Sequence, residues 1–159
     1  MPDIEQESAS RLRLHHVGHA VREIGPAARA YCERFGYEIC SEVIHDPRQT
    51  AYVQFLRLPG DAVYLELVAP DGPGSKLTHA VRRGGGLNHL CYTAGPLEAA
   101  IAALEATGMK LISDPTPGVA FAGRRICWLL AEEPLPVELV ERRDAGDACG
   151  PGVGLVREL

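Results

Sequence analysis

One pattern is written twice in this chain, about 73 residues apart, and the repeat limits the folds open to it. Leu14-His15-His16-Val17-Gly18-His19-Ala20-Val21 is answered by Leu87-Asn88-His89-Leu90-Cys91-Tyr92-Thr93-Ala94, and Tyr64-Leu65-Glu66-Leu67-Val68 by Pro136-Val137-Glu138-Leu139-Val140. Histidine and glutamate stand 50 residues apart in the first half and 49 in the second. A period this long is not that of a solenoid of small repeats. It describes a duplicated supersecondary module, and each copy alone would leave one sheet face bare, so the two must cover each other or a partner.

Each half reads as strand, helix, then three strands. In the first, 13–21 alternates as a strand does, Gly25-Pro26 opens a helix to about Phe35, and Gly36 stands where a left-handed cap is wanted. Strands are expected at about 37–43, 50–57 and 62–68, with Leu58-Pro59-Gly60-Asp61 as a hairpin turn. In the second, a strand at 87–93 leads to an alanine-rich helix from Pro96 to Thr107, closed by Gly108. Strands follow at about 109–113, 124–131 and 136–142. The pattern predicts an α+β protein of tandem βαβββ modules in a cupped mixed sheet. One domain covers 12–142, with module one at 12–70, a linker at 71–86 holding a short helix near Lys76–Arg82, and module two at 87–142. Residues 1–11 are expected as a flexible tail and 143–159 as a glycine-rich one.

Composition narrows the function classes. With 159 residues and 46% apolar side chains, the chain can bury a real core. Its net charge of −5 and the lack of a basic cluster beyond Arg-Arg pairs argue against nucleic acid as a partner. The apolar runs are too short for a membrane span, and the polar start lacks a signal peptide's apolar region. Five scattered cysteines without a C-x-x-C pair read as reduced core filler in a cytoplasmic protein.

The chemistry is carried by His16, Glu66, His89 and Glu138. Each sits centrally in an apolar strand, where an unpaired buried carboxylate would cost several kcal/mol. If the first and last strands of each module are neighbours, a His and a Glu share one face, and pseudo-twofold packing brings all four together. Imidazole plus carboxylate suits one divalent ion of Zn, Ni, Co, Fe or Mn, with two positions left for water or substrate. The bland alternative is an old duplication whose four polar residues match by chance.

These segments, together with Glu66-Leu-Val-Ala-Pro70, Gly86-Leu-Asn-His89-Leu-Cys-Tyr and Val137-Glu138-Leu-Val-Glu141, resemble the vicinal oxygen chelate superfamily, the glyoxalase and bleomycin-resistance group. The resemblance covers about 12–142 and is strongest to methylmalonyl-CoA epimerases. It implies that His16, Glu66, His89 and Glu138 are the metal ligands and that Glu138 also acts as general base. The implied reaction is an isomerisation or epimerisation through a metal-stabilised enolate of a small acyl substrate, such as an acyl-CoA, in a homodimer. A glyoxalase-type lyase acting on a hemithioacetal and a non-catalytic drug-binding protein of the same fold are the alternatives. A ring-cleaving dioxygenase fits less well, because Glu66 would fill a site which that chemistry keeps open.

Epimerisation is most easily done with two acid/base groups. Some relatives carry a second Glu on the strand that here reads Thr50-Ala-Tyr-Val-Gln-Phe55; alignment puts Val53 there, with Gln54 beside it, and neither is a base. Gln54, Cys91, Arg124 and Arg125 are candidate substrate contacts, the arginines for an anionic group. Strand alternation turns His15 and His19 away from His16, so His15 is expected at a solvated edge and His19 facing the core. His45 and His79 read as surface residues. Ser75 and Lys76 resemble linker residues near the substrate entrance, and a helix N-cap explains the serine equally well.

Overall fold

The computed structural model describes residues 11–133 and 135–153. The N-terminal tail expected at 1–11 lies almost wholly outside them, as does the end of the C-terminal one. The described residues form a nine-stranded mixed sheet: β1 (Arg13–Ala20), β2 (Glu38–Ile39), β3 (Ile44–Asp46), β4 (Ala51–Arg57), β5 (Tyr64–Pro70), β6 (Gly86–Ala94), β7 (Lys110–Pro117), β8 (Arg125–Leu130) and β9 (Val137–Glu141). Helix α1 (Ile24–Phe35) follows β1, the short α2 (Thr78–Arg82) precedes β6, and α3 (Leu97–Glu105) follows β6. No helix among the described residues is long and apolar enough to cross a membrane.

The strand order is β2-β4-β5-β1-β6-β9-β8-β7, with β3 paired to β4. The duplication is visible in this order. Strand β1 pairs in parallel with β5, and β6 pairs in parallel with β9; β1 and β6 then meet antiparallel at the centre. The first and last strands of each half are therefore neighbours, as the ligand argument required.

Alternation sorts the side chains onto two faces. On one, Leu67 and Leu56 pack with Ile24 and Ala28 of α1, while Leu139, Leu129 and Cys127 pack with Leu97 and Ile101 of α3. On the other, Val53, Phe55, Val68, Cys91, Phe121, Ile126 and Val140 line the inside of the cup. Helix α1 ends as expected: Gly36 is left-handed, with φ of 77°, and its N–H donates to the Cys32 carbonyl.

Two expectations change here. The strand predicted over 37–43 is only two residues long, and a separate strand, β3, follows it. The glycine-rich stretch after Glu141 holds no helix among the described residues, yet these pack firmly. Cys149 is fully buried, Arg124 makes a two-bond ion pair with Asp147, and Phe121 bridges to Gly152. Glycine permits the turns there, and the charge pair and the buried thiol hold them.

Candidate metal centre

The four repeated residues meet in two adjacent rows across the sheet. One row runs Phe55, Glu66, Gly18, His89; the other runs Trp128, Glu138, Cys91, His16, Tyr64. One ligand atom from each of His16, Glu66, His89 and Glu138 lies within 4.8 Å of the others. His16 Nε2 is 3.2 Å from Glu66, 3.4 Å from Glu138 and 3.0 Å from His89 Nε2. His89 Nε2 is 3.7 Å from Glu66. All four are buried, with relative exposures between 0% and 6%.

Gly18 makes the close approach geometrically available. A Cβ on it would stand 2.2 Å from His89 Cε1 and 2.3 Å from His89 Nδ1, so the imidazole lies directly on the β1 backbone. The ring is held from its other side by a hydrogen bond from Nδ1–H to the Asn88 side-chain oxygen at 2.8 Å, and Trp128 meets it edge-on. Its Nε2 lone pair therefore faces the glutamates.

Burial disfavours charge on every member. It is the main cause that lifts Glu66 well above its usual range, with the charges of Glu138 and Asp46 adding to it. Glu138 is pushed up to about 8, chiefly by burial; a hydrogen bond with Cys91 opposes the rise and Asp46 adds to it. His16 falls well below its ordinary value through burial and then the neighbouring His89 and His15, and burial brings His89 down to about 4. With their protons off, the two carboxylates and the two neutral imidazole Nε2 atoms offer acceptors only, an excess that burial makes costly. Glu138 Oε1 is buried without a hydrogen-bond partner among the described residues. A divalent cation would meet this excess, and the donor set fits one.

Glu66, His89 and Glu138 line a cavity of about 340 Å³ together with Asp46, Val53, Phe121 and Trp128, while the fully buried His16 is not part of the lining. The other candidate contacts lie elsewhere. Gln54 shares the parity of Leu56, away from the cup, and its amide donates to the Ser41 carbonyl; Val53 faces the cavity instead. Cys91 is fully buried beneath the ligands and does not line the cavity. Neither arginine enters it: Arg124 is paired with Asp147, and Arg125 with Glu141 and Glu98.

His15 also departs from expectation. It is 3% exposed, not solvated, because a bulge in β1 between Leu14 and His16 breaks the alternation. His19 Nδ1 and the Tyr31 hydroxyl are hydrogen-bonded at 2.8 Å. His45 and His79 are exposed, as expected, and His45 pairs with Asp71. The Ser75 hydroxyl donates to the Thr50 carbonyl and accepts the Leu77 N–H two residues on, the bond a helix-start serine makes, at the turn leading into α2. Lys76 lines the cavity mouth.

The residue missed by the sequence reading is Asp46. It ends β3, is 8% exposed and lines the cavity, and its Oδ1 accepts the N–H groups of Arg48 and Gln49. The two bonds fix the carboxylate, leaving Oδ2 free of them. The Asp-Pro sequence at 46–47, a turn initiator, was the available signal.

A cupped sheet of paired modules with two His and two Glu at its centre is the architecture of one broad class. The chain belongs to the Glyoxalase/Bleomycin resistance protein/Dioxygenase superfamily, which it matches over residues 15–128. It is 29% identical over 119 residues to the ethylmalonyl-CoA/methylmalonyl-CoA epimerase of Cereibacter sphaeroides, an alignment covering 74% of this chain and 87% of that one. The crystal structure of methylmalonyl-CoA epimerase from Mycobacterium tuberculosis superposes with a TM-score of 0.72 at 26% identity, covering 80% of this chain and 86% of the other. A Streptomyces coelicolor methylmalonyl-CoA epimerase in complex with 2-nitronate-propionyl-CoA shares the fold, with a TM-score of 0.71 at 21% identity over 82% of this chain and 97% of that one.

Proposed function

We propose that the protein is a metal-dependent epimerase of a small 2-substituted acyl thioester, of the methylmalonyl-CoA kind. The observation that carries this reading is the joint placement of a buried His16, Glu66, His89, Glu138 cluster and a second carboxylate, Asp46, around one cavity. At about 340 Å³ the cavity is near the small end of the roughly 300–1,000 Å³ of ligand pockets, suited to an acyl head group with its carrier outside.

A divalent ion held by the four ligands would supply a Lewis acid that stabilises the enolate oxygen. The chain's residues supply the proton traffic. Glu138, as the carboxylate, removes the proton from the carbon next to the thioester carbonyl. That C–H bond breaks, and its electron pair passes into the enolate. Inversion needs a proton delivered to the opposite face of the same carbon, and Asp46, the second carboxyl lining the cavity, is the group proposed to exchange it, the two carboxyls acting in turn as base and as acid in the two directions of the reaction. Phe121, Val53 and Trp128 exclude water from the carbanionic centre.

The test is incubation of racemic substrate in D₂O with wild type and Asp46→Asn. Wild type should incorporate deuterium at that carbon and interconvert the enantiomers. The variant should still exchange one enantiomer while interconversion falls by about 10²-fold or more. Full interconversion by Asp46→Asn would remove Asp46 from the reaction. No exchange by metal-replete wild type would remove the enolate reading altogether.

A further inference from the structure

His15 stands next to a ligand without facing the cavity, and both of its ring nitrogens are engaged. Its Nε2 is 2.8 Å from the Cys149 carbonyl oxygen, and its Nδ1 is 2.7 Å from His16 Nδ1. A carbonyl oxygen only accepts, so Nε2 of His15 carries the hydrogen. In a neutral ring that leaves the lone pair on Nδ1, which obliges His16 to donate from its own Nδ1. The lone pair of His16 is then on Nε2, the atom that faces Glu66, Glu138 and His89.

We propose that His15 is a positioning residue that locks His16 in its ligand tautomer, and that the C-terminal segment 143–153 works through it as part of the metal centre. This rests on the reading that His16 binds a divalent ion. Metal-bound histidines are commonly oriented by an acceptor on the second ring nitrogen. Here the acceptor is another imidazole, and a backbone carbonyl from 134 residues away sets its polarity.

That carbonyl is firmly held. Cys149 is left-handed, with φ of 52°, a region that non-glycine residues rarely adopt. Its N–H donates to Asp147 Oδ1 at 2.9 Å, and Asp147 takes two bonds from Arg124, each 2.9 Å. Arg124 thus serves the anchor of the segment. The His15 ring is fixed by stacking on Tyr64, with centroids 5.1 Å apart, and by the edge of Phe121 at 5.5 Å. The segment lies outside the 15–128 span of the family match, as Glu138 does.

Two measurements test the proposal, on full-length protein. The first is nitrogen-15 NMR of the histidine rings in chelator-treated protein. Wild type should show His16 protonated at Nδ1 and bare at Nε2, and His15→Phe, which keeps a stacking ring, should move the His16 proton toward Nε2. The second is Zn²⁺ titration. His15→Phe should weaken binding by about 10–100-fold, while His15→Gln, whose amide can accept from His16 and donate to Cys149, should restore most of it. A wild-type His16 protonated at Nε2 overturns the proposal, whether or not the variants fold. So does equal Zn²⁺ affinity in His15→Phe and wild type. If wild type binds no Zn²⁺, Ni²⁺ or Co²⁺ while the His16 proton still moves in His15→Phe, the positioning contact stands and the metal reading fails.

Discussion

The two halves each deliver one His and one Glu to the central cluster and support them differently. Across β4-β5-β1 the first row reads Phe55, Glu66, Gly18; across β8-β9-β6 the equivalent row reads Trp128, Glu138, Cys91. The histidine completing each row comes from the other half, His89 over Gly18 and His16 over Cys91. At the first crossing there is no room for a Cβ, and at the second a buried thiol fits. His89 is held by Asn88, its sequence neighbour, whereas His16 is held through His15 by a carbonyl 133 residues further on. Among the described residues, only the first half has the extra strand that brings Asp46 to the cavity. Duplication conserved the donor atoms, and asymmetry entered in what surrounds them.

The largest effect should separate the two glutamates. Glu138→Gln removes the proposed base, and turnover measured by enantiomer interconversion should fall by about 10²–10⁴-fold even at saturating metal. Glu66→Gln removes a ligand only, so it should need more metal but recover much of its turnover once saturated. Equal, metal-independent losses in both variants would mean that the halves share the chemistry and that Glu138 holds no separate role.

Much of this comparison was legible in the sequence. Repeated His and Glu positions, periodicity and punctuation by Gly36 pointed to the four residues that the structure groups together, both long helices and most strands. What escaped depends on pairing that no single strand encodes. Alternation put His15 at a solvated edge, but the bulge opposite Cys91 and Tyr92 turned it inward. The parity of β4 was undecided until β5 fixed its register, which sent Gln54 away from the cup and Val53 into it. Asp46 was hidden in a segment too short to read as a strand. Arg124 and Arg125 looked available for an anion only because Asp147, Glu98 and Glu141 are distant in sequence.

The two crossings give a sharper and smaller test. Gly18→Ala places a methyl 2.2 Å from the His89 ring, against rigid strand backbone. The imidazole must move, so metal affinity should fall by about tenfold or more. Cys91→Ala, at the equivalent position, only empties a small space, and should cost about 1 kcal/mol of stability while metal binding persists. Thermal melting and Zn²⁺ titration of the pair would show it. Unchanged affinity in Gly18→Ala would mean that the ring can leave the strand freely and that His89 is not a fixed ligand.

The smallest expected effect is a pH dependence in which the two residue types pull in opposite directions. His89 has a folded pKa of about 4 against an ordinary 6.5, so between those values the unfolded chain binds the extra proton and stability rises with pH. Glu138 has a folded pKa of about 8 against an ordinary 4.5, so the folded state keeps the proton longer and stability of the metal-free protein falls as pH climbs through that range. The two contributions offset each other up to about 6.5, above which the carboxyl contribution stands alone. Metal-free protein should therefore lose melting temperature between pH 6.5 and 8. Metal binding favours the ionised carboxylates and must release their protons, so its affinity rises over the same interval. The gap in melting temperature between Zn²⁺-saturated and metal-free protein should widen from pH 6.5 to 8. A gap that narrows would mean that the glutamates are already ionised without metal, and that the site is less dry than its burial indicates.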